Sequence, residues 1–207
     1  MSINNKRQTI AIDIDDVLAQ SAKKIIEYSN KKWGMSLAVE DYNEDLSKLW
    51  QVDHIEMKRR VDEYFDSGVL SVYEHDPSAM LVLDRLKNKY NLIVITSRNN
   101  RTKNDTIDWI NNKYPGIFEG DHIHFAGFWD NISDGSAIYY TKGDLVKNLN
   151  ADYLIDDQLK HCLSVSALGM KSILFGNYSW NKSDNLPQNV QRVENWLDIL
   201  RYFDESA

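Results

Sequence analysis

Cysteine is almost missing from this chain of 207 residues. Cys162 stands alone, so no internal disulfide can form. Its flanks, Leu159-Lys160-His161-Cys162-Leu163, read as a half-buried helix position and not as a redox centre. Long apolar runs are missing too. No segment approaches membrane-spanning length, and a membrane partner is not expected. Met1-Ser2-Ile3-Asn4-Asn5-Lys6-Arg7 leads into no apolar stretch of signal-peptide type, so the expected location is cytoplasmic. Positive charge is in deficit: 24 Lys and Arg face 31 Asp and Glu, for a net charge of -7. That balance argues against a nucleic-acid polymer as partner, because wrapping one needs a basic track. It leaves room for a small anion, since a metal ion and one lysine reverse the field locally. Repeats and low-complexity tracts are absent.

What is present is an ordinary soluble composition, 43% hydrophobic and 27% charged, enough for one good core and a smaller second lobe. The most unusual stretch is Ile10-Ala11-Ile12-Asp13-Ile14-Asp15-Asp16-Val17-Leu18. Its apolar lead reads as a buried strand, Gln8 to Ile12. Asp13, Asp15 and Asp16 then follow within four residues. Carboxylates so close repel one another unless a cation or ordered amides compensate. A hard divalent ion held by oxygen ligands, Mg2+ above all, is the economical explanation. A solvated turn is the plain alternative, weakened by the return of apolar character at Val17 and Leu18.

Helical patterning follows for some 55 residues. Ala19 to Gly34 carries Ile25, Ile26 and Trp33 near one face, opposite Lys23, Lys24, Glu27 and Lys31. Val39 to Trp50 reads as a second helix, with acids suited to its N-terminus. Asp53 can cap a third, from His54 to about Asp66. No strand is evident among them, which suggests a helical lobe inserted after the first strand. Asp76-Pro77 restarts the chain with a helix running to Tyr90. From there helix and strand alternate. Strands are expected at Asn91 to Ile95, His122 to Ala126, Tyr153 to Ile155 and Ser172 to Phe175. Helices are expected at Arg101 to Tyr114, Thr141 to Asn150, after Asp157 through Leu168, and finally at Val190 to Phe203. Phe128 to Tyr140 reads as a loop. The alternation implies an open α/β fold, with parallel strands and right-handed crossovers.

In such sheets the ligand lies beyond the carboxyl ends of the strands. Three apolar strands end there in polar groups: Asp13 and Asp15, Thr96 and Ser97, Asp156 and Asp157. Lys142, at a helix start, can reach the same edge; Lys147 competes for that role. The set supplies a nucleophile, an acid/base, a hydroxyl, a cation and a metal site. It is the inventory for moving a phosphoryl group to an aspartate and then to water.

These residues resemble the haloacid dehalogenase-like (HAD) phosphohydrolase superfamily. Asp13-Ile14-Asp15-Asp16-Val17 matches its first motif, Thr96 its second, Lys142 its third and Asp156-Asp157 its fourth. The resemblance covers nearly the whole chain. Among HAD enzymes the chain looks most like the 5'(3')-deoxyribonucleotidases. The resemblance implies a HAD-like Rossmannoid parallel sheet with helices on both faces. It also implies a C1-type helical cap over residues 19–76, with the core at 1–18 and 77–207. Asp13 would be the nucleophile. Asp15 would protonate the leaving alcohol and then activate water, as suits a carboxyl raised by a neighbouring carboxylate. Mg2+ would be held by Asp13, the Asp15 main-chain carbonyl and Asp157. Asp156 would support the metal shell or orient Lys142. The Thr96 hydroxyl and Ser97 amide would bind phosphate oxygens, and Lys142 would neutralise charge on them and on Asp13. The substrate would be a small phosphorylated metabolite such as a (deoxy)nucleoside monophosphate. A sugar phosphate or a polynucleotide 3'-phosphate end stays open, as does a homodimer.

Three positions depart from the nucleotidase pattern. Asp16 stands for a usual Gly, Ser21 for a usual aromatic, and Arg98 for a usual Pro. Arg98 either binds substrate or faces solvent. Thr96 and Ser97 could instead cap the following helix, as Asp156 could cap its own. Trp33, Trp50, Tyr64 and Phe65 could stack on a base or simply pack the helical lobe, with Trp129 a further candidate. A receiver-type phospho-acceptor module is the competing class. Against it, the acid pair follows the first strand, and a receiver has no place for the helical insertion.

Overall fold

The computed structural model describes residues 7–126 and 141–205. The expected loop at Phe128 to Tyr140, and Trp129 within it, lie outside the described residues. Six strands form one parallel sheet: β1 (Thr9–Ile12), β2 (Asn91–Thr96), β3 (Ile123–Phe125), β4 (Tyr153–Asp156), β5 (Lys171–Phe175) and β6 (Val190–Val193). Their order is β3-β2-β1-β4-β5-β6. The helices are α1 (Ser21–Trp33), α2 (Leu46–Trp50), α3 (His54–Asp66), α4 (Pro77–Leu86), α5 (Lys103–Lys113), α6 (Lys142–Asn148), α7 (Leu159–Ala167) and α8 (Trp196–Glu205).

Side-chain alternation along the strands divides the core between two faces. Ile10 and Ile12 join Val94, Ile155, Trp109 and Trp196 in the larger cluster. Ala11 joins Ile93, Ile95 and Leu154, covered by Val146 of α6 and Val165 of α7. Burial on both faces explains why these strands read as continuous apolar runs. Cys162 is fully buried beside Leu174 and Val190, deeper than its flanks suggest.

Between β1 and β2 every regular element is helical. Gly34 takes φ +64 and ends α1 where a side chain would be strained. Asp53 caps α3 through Glu56 N at 2.9 Å, and Asp76 caps α4 through Ser78 N at 2.8 Å, with Pro77 in its first turn. Ile25, Ile26, Leu49, Trp50, Tyr64 and Leu70 pack into the same cluster as the sheet.

Two expected elements differ. Val39 to Trp50 is not one helix but a single 3-10 turn at Val39–Asp41, a break, and then α2. The acids are the cause, since they act as separate caps. Asp41 accepts from Ala38 N at 2.8 Å, while Asp45 accepts from Ser47 N at 3.2 Å and starts a new helix. The expected final helix from Val190 is divided as well. Val190–Val193 pairs with β5 as a sixth strand, and Asn195 accepts from Leu197 N at 3.0 Å to open α8. Val190 and Val193 are buried around an exposed Gln191, too short a pattern to separate strand from helix.

The turn after β1 is clamped by three distant aromatic side chains. The main-chain oxygens of Asp16, Val17 and Leu18 accept from Tyr178 OH at 3.1 Å, Trp196 Nε1 at 3.1 Å and Tyr114 OH at 2.7 Å. Tyr114 is 1% exposed, so its loss as a donor leaves a buried carbonyl unpaired. Tyr114→Phe is expected to destabilise the protein by about 1–3 kcal/mol, read as a lower urea midpoint at an unchanged m-value.

Candidate active site

The site lies where the sheet order reverses, between β1 and β4. Crossovers leave that edge in opposite directions and open a crevice at the carboxyl ends. Ile12 is in register with Ile155 and Val94, so Asp13 and Asp156 end their strands side by side, with Thr96 on the neighbouring strand. Asp13 N continues the ladder by donating to Ile155 O at 2.9 Å.

Lys142 is the first residue of α6. Thr141 and Asp144 close a capping box there, with Asp144 N donating to Thr141 Oγ1 at 3.1 Å and Thr141 N to Asp144 Oδ2 at 2.8 Å. The box fixes the helix start, and Lys142 runs inward. Its Nζ lies 2.6 Å from Asp13 Oδ2 and 2.8 Å from Asp156 Oδ2. All three groups are nearly inaccessible to solvent. Lys147, the competing lysine, forms no part of this cluster.

Asp156 has every direction taken. Besides Lys142, its Oδ1 accepts from Gln158 N at 2.8 Å, and His161 Nδ1 lies 3.2 Å from Oδ2. Of the two roles open to it, orienting Lys142 is the one this geometry matches. Its bond from the Gln158 amide falls on the residue before α7 and not on a first-turn amide, so Asp156 does not cap that helix. Burial alone would raise Asp156, but Lys142 and His161 hold it well below the usual carboxylate range. Burial works against the charge on Lys142, yet Asp13 and Asp156 outweigh it and hold the ammonium above its ordinary value. Burial pushes Asp13 up to about 8; Lys142 opposes this, while Asp156 and Asp15 add to it.

Asp157 is 2% exposed and has no lysine or arginine partner among the described residues. Its Oδ2 accepts from Trp180 Nε1 at 2.6 Å and from Gln158 Nε2 at 2.9 Å. Burial, followed by the nearby Asp156, Asp16 and Asp13, holds it well above its ordinary value. One oxygen each of Asp13, Asp156 and Asp157 falls within a sphere of 4.8 Å separation. Two of these three buried carboxylates share one lysine, Asp157 has none, and Asp156 is already saturated. Asp13 and Asp157 remain as hard oxygen donors in excess of local positive charge, which is the chemistry a Mg2+-type cation requires. The residues present fit such an ion.

Asp15 differs from expectation. The group against it is not a carboxylate but the guanidinium of Arg98, with Nη2 2.7 Å from Oδ1 and Nε 3.0 Å from Oδ2. Arg98 is 7% exposed, lies over the Tyr73 ring at 5.2 Å and donates to Thr106 Oγ1 at 3.3 Å. It therefore neither faces solvent nor stands free for a ligand; it is a fork on Asp15. Thr96 is fully buried, and its Oγ1 accepts from Arg98 N at 3.1 Å, which leaves its own O–H to donate. Capping of the next turn falls to Asn99, through Arg101 N at 2.7 Å, so neither Thr96 nor Ser97 is needed there. Ser97 is half-buried in the same loop.

The lobe aromatics are committed to one another. Trp33 meets Trp50 at 4.9 Å, and Tyr64 meets Phe65 at 5.3 Å. Trp50 Nε1 donates to Ser29 Oγ at 2.9 Å, and the Tyr64 and Tyr73 hydroxyls pair at 2.8 Å. Packing, not base stacking, accounts for these four rings.

Comparison with known proteins places the chain in a family. The family model described as 5' nucleotidase, deoxy (pyrimidine), cytosolic type C protein (NT5C) matches residues 7–203. The chain belongs to this family. Two bacterial proteins are similar to this NT5C chain. "Putative nucleotidase YqfW" of Bacillus subtilis is 25% identical over 203 residues, 95% of this chain and 94% of that one. "Putative 5'(3')-deoxyribonucleotidase" of Staphylococcus epidermidis is 25% identical over 201 residues, 96% of this chain and 97% of that one. Among solved structures, a haloacid dehalogenase-like hydrolase, SP0104 of Streptococcus pneumoniae, superposes with a TM-score of 0.69 at 17% identity, covering 95% and 98% of the two chains. This NT5C chain is accordingly a HAD-fold phosphohydrolase.

Of the three departures in this NT5C sequence, Asp16 and Ser21 meet each other, and Arg98 meets Asp15. Asp16 takes φ 55, the left-handed region a glycine enters freely. It offsets the strain by accepting from Ser21 Oγ at 2.7 Å and Ala22 N at 3.1 Å at the start of α1. Ser21 is thereby turned to Asp16. Burial pushes Asp16 up to about 7, against the bonds from Ser21 and Ala22. Arg98, the third departure, is the fork on Asp15. Reading the sequence missed Trp180, Gln158 and His161. The last two follow the acid pair closely, at a helix start, and could have been suspected. Trp180 sits in a polar loop with no periodic signal.

The raised carboxylates set a pH dependence. Asp13, Asp16 and Asp157 keep protons in the folded state that the unfolded chain releases above about pH 4, so stability falls as pH rises through that interval. Asp156, held low, contributes the opposite slope only in stronger acid. Calorimetry in EDTA is expected to give a higher Tm at pH 6 than at pH 8. Added Mg2+ should raise Tm more at pH 8, where fewer protons compete for the carboxylates.

Proposed function

We propose that this protein hydrolyses small phosphomonoesters, (deoxy)nucleoside monophosphates being the first substrates to consider. The observation that carries the reading is the Asp13 carboxylate, buried at the end of β1 and held 2.6 Å from Lys142 Nζ. An aspartate so fixed presents its oxygen along one line, as in-line attack on phosphorus demands. The nucleotide part rests on the family description and on the printed names of the two relatives.

Asp13 forms a bond to phosphorus as the bond to the leaving alcohol breaks. Asp15 gives that alcohol its proton, for which the Arg98 fork must open. Water then attacks the aspartyl-phosphate, Asp15 takes its proton, and phosphate leaves with Asp13 restored. The Lys142 ammonium neutralises charge on the phosphoryl oxygens and on Asp13, while Asp156 holds the ammonium in place. The Thr96 hydroxyl and the Ser97 amide bind the remaining oxygens. A Mg2+-type cation held by Asp13, the Asp15 carbonyl and Asp157 would supply Lewis-acid neutralisation of the transferring group. Residues 19–76 act as the cap. The reading has support from three contacts: Arg101 on the loop after β2 pairs with Asp62 and with Asp66 at 2.8 Å on α3, and Ser179 Oγ donates to Glu40 O at 2.8 Å.

The test is turnover of p-nitrophenyl phosphate, nucleoside monophosphates and sugar phosphates with Mg2+. Asp13→Asn is expected to lower kcat by at least about 10³-fold, and retained activity would move the nucleophile elsewhere. Acyl-phosphate labelling that persists for hours without release of phosphate would instead favour a phospho-acceptor.

A further inference from the structure

The geometry points to Trp180 as the positioning residue that sets which oxygen of Asp157 is free for the cation. This rests on the metal reading above and extends it to a side chain in the β5–β6 loop. Asp157 carries two side-chain hydrogen bonds, and both land on one atom. Trp180 Nε1 donates to Oδ2 at 2.6 Å, and Gln158 Nε2 donates to the same Oδ2 at 2.9 Å. Among the described residues no donor reaches Oδ1. The main chain is held as well, because Asn181 Nδ2 donates to Asp157 O at 2.9 Å. With its backbone fixed and one oxygen loaded, the carboxylate has a single rotamer and one oxygen in reserve. Partners of this kind orient a ligand and raise its affinity for the ion.

Trp180 is itself braced on two sides. Tyr178 stacks on it at 4.5 Å with a 6° interplanar angle, and Tyr42 meets its edge at 4.8 Å. Tyr42 belongs to the helical insertion, so the ring that orients Asp157 is seated partly by residues of that segment. A half-buried tryptophan could be simple packing. Packing, however, gives no reason for the indole N–H to be spent on an acid that burial already disfavours as a charge.

The experiment is titration calorimetry of Mg2+, with Mn2+ as a second ion, on the full chain without substrate. Trp180→Phe keeps an aromatic ring and removes the N–H. It is expected to raise the Mg2+ Kd by about 10–100-fold, with the metal-free protein still unfolding in one cooperative transition. At saturating Mg2+ the KM for p-nitrophenyl phosphate should stay at the wild-type value. Trp180→His restores a ring N–H and should recover Kd to within about tenfold of wild type. It also keeps the question answerable should the phenylalanine variant fold poorly. A Trp180→Phe protein that binds Mg2+ as wild type does, while Asp157→Asn does not bind, overturns the role of Trp180 and leaves the metal reading standing. A wild type that binds neither ion overturns both.

Discussion

The structure depends on one buried ammonium between two carboxylates. Lys142 reaches Asp13 and Asp156 within 2.8 Å, all three shielded from solvent. Taking such charges out of water costs several kcal/mol each, and the pairing repays this only with good geometry. The geometry comes from three separate elements: the end of β1, the end of β4 and the first turn of α6. Each must stop at the correct residue. A cluster that breaks if any one slips ties the local endings of the chain to the global fold.

The third carboxylate gives this balance its chemical sense. Asp157 adds negative charge where the lysine is already shared, and burial keeps it reluctant to ionise. A folded protein gains nothing in stability from that arrangement. Strain of this sort at the edge of a topological switch point is what a binding site costs. The same trade appears in Asp16, a residue in a glycine-like conformation whose side chain is recovered as a cap for α1.

Much of this was legible before any coordinates. Continuous apolar runs located the inner strands because burial on both faces leaves no room for alternation. Polar residues at their ends marked the candidate site because parallel strands all finish at one edge. The strand at Val190–Val193 was not legible, since four residues carry too little periodicity, and neither was the break between Val39 and Trp50, where each acid serves its own short helix. The partners of the acids were legible only in part. Lys142 stood out as the first residue of a capped helix. The meeting of Arg98 with Asp15 and of Trp180 with Asp157 depends on loop paths, and no residue pattern encodes a loop path. The lobe aromatics show the converse. Trp33, Trp50, Tyr64 and Phe65 looked equally suited to a ligand and to a core, and only their mutual contacts decide for the core.

The three aromatic clamps on the turn at residues 16–18 bear on how the molecule comes into being. Asp13 stands at the end of β1, but the indole that holds the Val17 carbonyl is synthesised some 180 residues later. Chain growth at about 5–20 residues per second leaves that turn unsecured for roughly ten seconds or more. A nascent chain stalled short of Trp196 would hold Asp13 and Asp15 beside a turn that lacks one of its three clamps.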